Sequence, residues 1–167
     1  MDNAASLTPL DHAWQALQAA VRHLPEERFL VPLSGWSARD IVAHLIGWNR
    51  HMIEASGSIL RGQTPAYYAD APNGYRNLNA AHVAAHPSHS RDELLRELEV
   101  SLMEFKAFVL LLPPGEINDS HGVLHYSGRP ATVEGIIRSL TQDYRDHAAE
   151  IEALARANGG QLQANGN

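Results

Sequence analysis

The stretch "TVEGIIRSLTQDYRDHAAEIEAL", residues 132–154, decides the fold. Val133, Ile136, Ile137, Leu140, Tyr144, Ile151 and Leu154 recur at steps of three and four, the period of one helix face. His147 falls on the same stripe, and Asp143 lies one turn before it. Helix side chains four apart lie one above the other, so these two groups can reach one point in space. An imidazole on an apolar stripe is either a hydrogen-bonded core residue or a ligand. An acid–imidazole pair at this spacing also occurs on solvated faces, and at this point both readings stand.

Working outward, three further segments carry the same period. The first begins at Thr8-Pro9, a cap followed by proline at the first helical position. It runs to about Leu24 with Leu10, Trp14, Leu17, Ala20 and Val21 on one face. The second opens with "SARD" at 37–40, where Ser37 and Asp40 resemble a capping box with Asp in place of Glu or Gln. It extends to about Leu60, with Ile41, Leu45, Trp48 and Met52 inward. The third starts at Ser90, has a broad apolar face from Leu94 to Leu112, and is stopped by "PPG" at 113–115.

Two connections are irregular. Residues 61–89 have no sustained period, although "NLNAAHVAAH" at 77–86 could form a short helix ended by Pro87. A connection of that length is uncommon in a compact domain unless it is functional, and it reads as a crossover covering one end of the bundle. In the second, residues 116–131, "GVLHYSG" is the nearest approach to a strand. The expectation is an all-α four-helix bundle with a long crossover connection, forming one domain over residues 1–157. The Gly- and Asn-rich tail at 158–167 reads as disordered.

Composition removes several function classes. Net charge is −6 and no Lys/Arg cluster stands out, so a nucleic-acid partner is not expected. The absence of cysteine excludes disulfides, Cys-ligated zinc and a cysteine nucleophile. Any thiol in the chemistry must arrive with a substrate. The N-terminus lacks a signal-peptide pattern and no run of about 20 apolar residues exists, so a cytoplasmic protein with no membrane partner is expected.

Ten histidines carry most of the functional information. Asp143 and His147 do not close a metal site alone. The best third ligand is His44, beside the stripe of the second helix, with His51 on nearly the same face as the reserve. His82, His86 and His89 fall in a polar stretch and are expected to be solvated. His121 and His125 flank a turn, and His12 and His23 read as surface positions.

Three segments carry a family resemblance. "GWSARDIVAHLIGWNRHM" (35–52) resembles the second-helix signature of the DinB/YfiT-like superfamily, and "GRPATVEGIIRSLTQDYRDHAAEIEAL" (128–154) resembles its last helix. "NLNAAHVAAHPSHSRDELLRELEVSLMEFKAFVLLLP" (77–113) is similar to the ClbS/DfsB-like branch. The resemblance spans about residues 8–157. It implies a four-helix bundle with three metal-binding histidines, one on the second helix and two on the last. Two of these fall on His44 and His147, whereas the third position holds Asp143. The resemblance thus implies one divalent transition metal (Zn, Ni, Fe or Mn) on His44, Asp143 and His147, or a site that works without metal.

The activity implied is that of a hydrolase or thiol-dependent transferase acting on a small molecule, with a low-molecular-weight thiol as partner. Trp48, Tyr144, Asn79 and His51 are the expected substrate contacts, although Tyr144 lies about 100° round the helix from Asp143 and suits core packing equally. The alternatives are a metal-free ClbS/DfsB-like genotoxin-resistance protein and a non-catalytic, stress-related dimeric bundle. A homodimer is expected in either case.

Overall fold

The structure, a computed structural model, describes residues 3–32 and 35–164, with side chains up to residue 156. It is all-helical: no strand is present among the described residues, only an isolated bridge between Leu124 and Pro130. The long helices are α1 (Asn3–His23), α2 (Ala38–Leu60), α4 (Arg91–Leu110) and α5 (Val133–Ala164), and the short α3 (Arg76–Ala85) lies in the crossover. Helix α1 packs on α5 and α4, and α2 packs on the same two, which closes a four-membered ring around one core. Leu10, Leu17, Ile41, Leu45, Leu98, Phe105, Ile137 and Ile151, the residues of the four periodic stripes, fill that core.

Local chemistry sets the helix starts. Ser37 Oγ accepts from Asp40 N at 3.2 Å while Asp40 Oδ2 accepts from Ser37 N at 3.0 Å, so the capping box forms with aspartate. Ser90 Oγ caps α4 by accepting from Glu93 N at 3.3 Å, and Thr132 Oγ1 accepts from Gly135 N at 3.0 Å before α5. The first helix begins earlier than the Thr8-Pro9 signal suggests. Asn3 is buried and its Nδ2 donates to Val109 O at 3.1 Å and Leu112 O at 2.9 Å, satisfying carbonyls at the end of α4. That anchor holds the chain in place ahead of Pro9, which is accommodated inside the helix.

Helix α5 runs to Ala164, past the point where the polar tail was expected to begin, and residues 165–167 lie outside the described residues. No helix among the described residues is long and apolar enough to cross a membrane.

The crossover lies closely on α2. Gly47 has no side chain, and a Cβ there would overlap the His82 ring of α3. Through this contact His82 is half-buried, whereas its polar neighbourhood suggested a solvated side chain. Its Nδ1 is buried without a hydrogen-bond partner and its ring packs on Trp48, with centroids 5.0 Å apart. His86 is also largely covered: its Nδ1 meets Glu97 Oε1 at 3.0 Å, and its carbonyl accepts from Arg39. His89 stays exposed, as expected.

Candidate metal centre

Helices α2 and α5 bring His44, Asp143 and His147 together. His44 Nε2 lies 3.3 Å from Asp143 Oδ2, and His147 Nε2 lies 3.5 Å from Asp143 Oδ1. One ligand atom from each of the three falls within 4.8 Å of the others. Metal–ligand bonds of 2.0–2.2 Å in a tetrahedral shell place neighbouring ligand atoms about 3.4 Å apart. The two contacts to Asp143 reach its two different oxygens, and the set as a whole lies within 4.8 Å, so a modest closing of the side chains would complete the shell; the donor set of two imidazoles and one carboxylate suits zinc, nickel, iron or manganese.

The surroundings pre-arrange these groups. His147 Nδ1 lies 3.1 Å from Glu150 Oε2, and with the proton on Nδ1 the ring would present its Nε2 lone pair to Asp143 and His44. A carboxylate behind a ligating imidazole fixes its tautomer and raises its basicity. His44 is buried and its Nδ1 has no partner, so packing holds this ring instead. Trp36 supplies that packing: its ring lies 4.7 Å from His44 and 6.4 Å from His147, centroid to centroid. A tryptophan just before a helix cap reads from sequence as a staple, and only the fold shows it shielding two imidazoles.

A cavity of about 430 Å³ opens beside His44 and Asp143. Trp48, Tyr67, Tyr75, Asn79, Tyr126 and Asp146 are among its walls. Trp48 Nε1 donates to Asn79 Oδ1 at 2.9 Å, locking α3 to α2 at the cavity edge. Tyr75 adopts a left-handed backbone (φ 57°), rare for a bulky residue, and this turns its ring to Trp48 at 5.5 Å. Burial, reinforced by Tyr68 and Tyr75, pushes the Tyr67 hydroxyl well above its ordinary range, so it remains a proton-bearing donor.

The other expected substrate contacts fare differently. Trp48 and Asn79 line the cavity. His51 stands behind the wall, packed on Trp48, Tyr67 and His82. Tyr144 belongs to the core: it is fully buried, its Oη accepts from Asn49 Nδ2 at 2.8 Å, and its ring meets Trp14. One residue along a helix rotates a side chain by about 100°, which carries Tyr144 away from the face of Asp143. Glu150, three residues after His147, was legible as an i,i+3 neighbour. Tyr67 and Tyr126 come from irregular segments and carried no such signal.

The sequence profile of the mycothiol maleylpyruvate isomerase N-terminal domain matches residues 10–152, most of the chain. The chain belongs to that family. The family is part of the DinB/YfiT-like superfamily, in accord with the resemblance of the second and last long helices. No curated protein and no solved structure matches the chain. His44, Asp143 and His147 all lie within the matched span.

Proposed function

We propose that this chain is a metal-dependent enzyme that acts on a small molecule together with a low-molecular-weight thiol. One divalent transition ion would be held by His44, Asp143 and His147. The observation that carries this reading is the convergence of three ligand atoms within 4.8 Å from two helices, beside a cavity of about 430 Å³. The thiol rests on two points. The matched family is named for mycothiol, and the chain has no cysteine of its own. Thiol-dependent transfer is therefore favoured over simple hydrolysis.

A bound divalent ion supplies Lewis acidity that lowers the pKa of a thiol or water beside it. The chain's residues do the rest. Glu150 holds the proton on His147 Nδ1 and keeps Nε2 free to ligate. Trp36 covers the imidazole edges and keeps water from them. Asp146 lines the cavity and receives Gln142 Nε2 on Oδ1 at 2.7 Å. Its carboxylate is the candidate to take the proton of an incoming thiol. The aromatic wall of Trp48, Tyr67 and Tyr75 holds the substrate body.

The homodimer belongs to the same proposal. Val100, Met103, Leu110 and Leu111 expose apolar surface on α4 and its end, a face that a second copy would cover. Light scattering on the purified protein decides this point.

Elemental analysis before and after chelation tests the main reading. Stoichiometric metal should be present, removable by a chelator and lost in His147→Ala, with the helical circular dichroism retained. Wild-type protein that is free of metal and still active would refute it, and chelator-resistant protection of cells against an electrophile would favour the metal-free alternative.

A further inference from the structure

A larger cavity of about 670 Å³ adjoins the one at the metal centre. The two share Met52, Tyr67, His125, Ser139 and Gln142 as walls. His125 is the one imidazole in this partition, and no role has been given to it. It sits in a closed turn: Gly128 N donates to His125 O at 2.8 Å, His125 N to Arg129 O at 2.8 Å, and Ala131 N to Val123 O at 3.0 Å. Val123 and Ala131 are buried and anchor both arms, so the position of the ring is fixed by the backbone.

The ring's hydrogen bonds settle which nitrogen carries its proton. The Ser127 backbone N–H donates to His125 Nδ1 at 3.1 Å, so Nδ1 is an acceptor. Arg129 Nε donates to Ser127 Oγ at 3.4 Å, and the Ser127 hydroxyl lies 2.7 Å from Nδ1, free to donate to it as well. With the Ser127 backbone N–H donating to Nδ1, the neutral imidazole holds its hydrogen on Nε2. Among the described residues Nε2–H has no partner. Burial, assisted by Arg129, lowers the basicity of the ring and keeps it in this neutral form.

The larger cavity indicates what that donor meets. Arg129 and Arg138 line it, and neither is ion-paired among the described residues. Glu134 is the single carboxylate among the lining residues, so the balance there is positive. We propose that His125 is a ligand-binding residue: its Nε2–H donates a hydrogen bond to an anionic oxygen of the small molecule spanning the two cavities, with Arg129 and Arg138 supplying the countercharge. This deepens the enzymatic reading above and rests on it for the location of the ligand, though not for the tautomer.

Long-range ¹⁵N–¹H correlation of the imidazole nitrogens tests the first step without any ligand. His125 should show a protonated Nε2 and an unprotonated Nδ1. The second step uses zinc-loaded protein titrated with mercaptosuccinate, and with 2-mercaptoethanol as the thiol lacking carboxylates. His125→Phe should weaken mercaptosuccinate binding roughly ten-fold or more, as expected for loss of a hydrogen bond to a charged group. It should leave 2-mercaptoethanol binding and zinc stoichiometry unchanged. His125→Gln, which keeps a donor, should recover part of the loss. A protonated Nδ1, equal affinity in the Phe variant, or no mercaptosuccinate binding by zinc-loaded wild type overturns the role of His125. Failure of the wild type to take up zinc would instead overturn the metal reading, and the tautomer result would stand apart from it.

Discussion

Gly47→Ala tests how the crossover is held against the site. Gly47 lies in the interior of α2, where replacing glycine by alanine favours the helix by about 1 kcal/mol in the absence of other contacts. At Gly47 the new methyl would overlap the His82 ring, and relieving an overpacked contact costs about 1–3 kcal/mol. The clash outweighs the propensity gain, so net destabilisation of up to about 2 kcal/mol is expected. Gly57→Ala in the same helix is the control. Its Cβ would meet only the Arg61 guanidinium, at 3.2 Å, the mobile end of a long side chain. That variant should be neutral or more stable by up to about 1 kcal/mol. Urea unfolding of both, with unchanged m-values, reads the difference. In the Gly47→Ala background, His82→Ala should cost less than in the wild type, because the clash leaves with the ring. Equal stabilisation by Gly47→Ala and Gly57→Ala would refute the close seating of α3 on α2.

The site and the core give further expectations. Glu150→Gln should weaken metal binding by roughly ten-fold or more while leaving the stoichiometry intact, as measured by competition with a chromogenic chelator. Tyr144→Phe leaves one Asn49 N–H without its buried partner and should cost about 1–3 kcal/mol in urea unfolding, with metal content unchanged. His82 is depressed to about 4 by burial and by the neighbouring His51, His44 and His86. The unfolded chain, with its ordinary histidine, therefore binds more protons between these values. Stability should be full above about pH 6.5 and fall as the pH drops toward 4. His82→Gln should flatten thermal midpoints across that window, and an unchanged slope would contradict the burial of this ring.

The helices were legible because each buries one face, and a buried face writes its 3.6-residue period into the sequence. That period also placed His44 on α2 and aligned Asp143 with His147 on α5, so the three candidate ligands could be named before any fold was known. The same geometry left Tyr144 open between cavity and core, since its neighbour Asp143 points about 100° away, and the fold places it in the core. His82 was missed for a different reason. Its exposure depends on a glycine 35 positions earlier, and pattern within a segment cannot report contacts between segments. Tyr67, Tyr126 and His125 share that limit, since irregular backbone carries no period to phase the side chains. Trp36 was visible as an aromatic beside a cap, but its contact with two imidazoles requires α5 to pass in front of it.

This division has a functional consequence. The proposed ligands sit on α2 and α5, in a bundle stabilised by a continuous core, and these helices also form most of the cavity wall, to which the connections add Tyr67 and Tyr75 before α3, Asn79 on α3, and His125 and Tyr126 in the turn before α5. Connections tolerate replacement because few core contacts depend on them. Under the proposed function, part of the substrate's surroundings is thus encoded apart from the three ligands. Exchanging residues 124–130 should change which small molecule binds while leaving metal affinity intact, because Val123 and Ala131, left in place, seat the turn independently of the three proposed ligands. Metal loss on such an exchange would mean that the connections and the proposed ligands are coupled through the cavity that His44 and Asp143 line together with His125 and Tyr126.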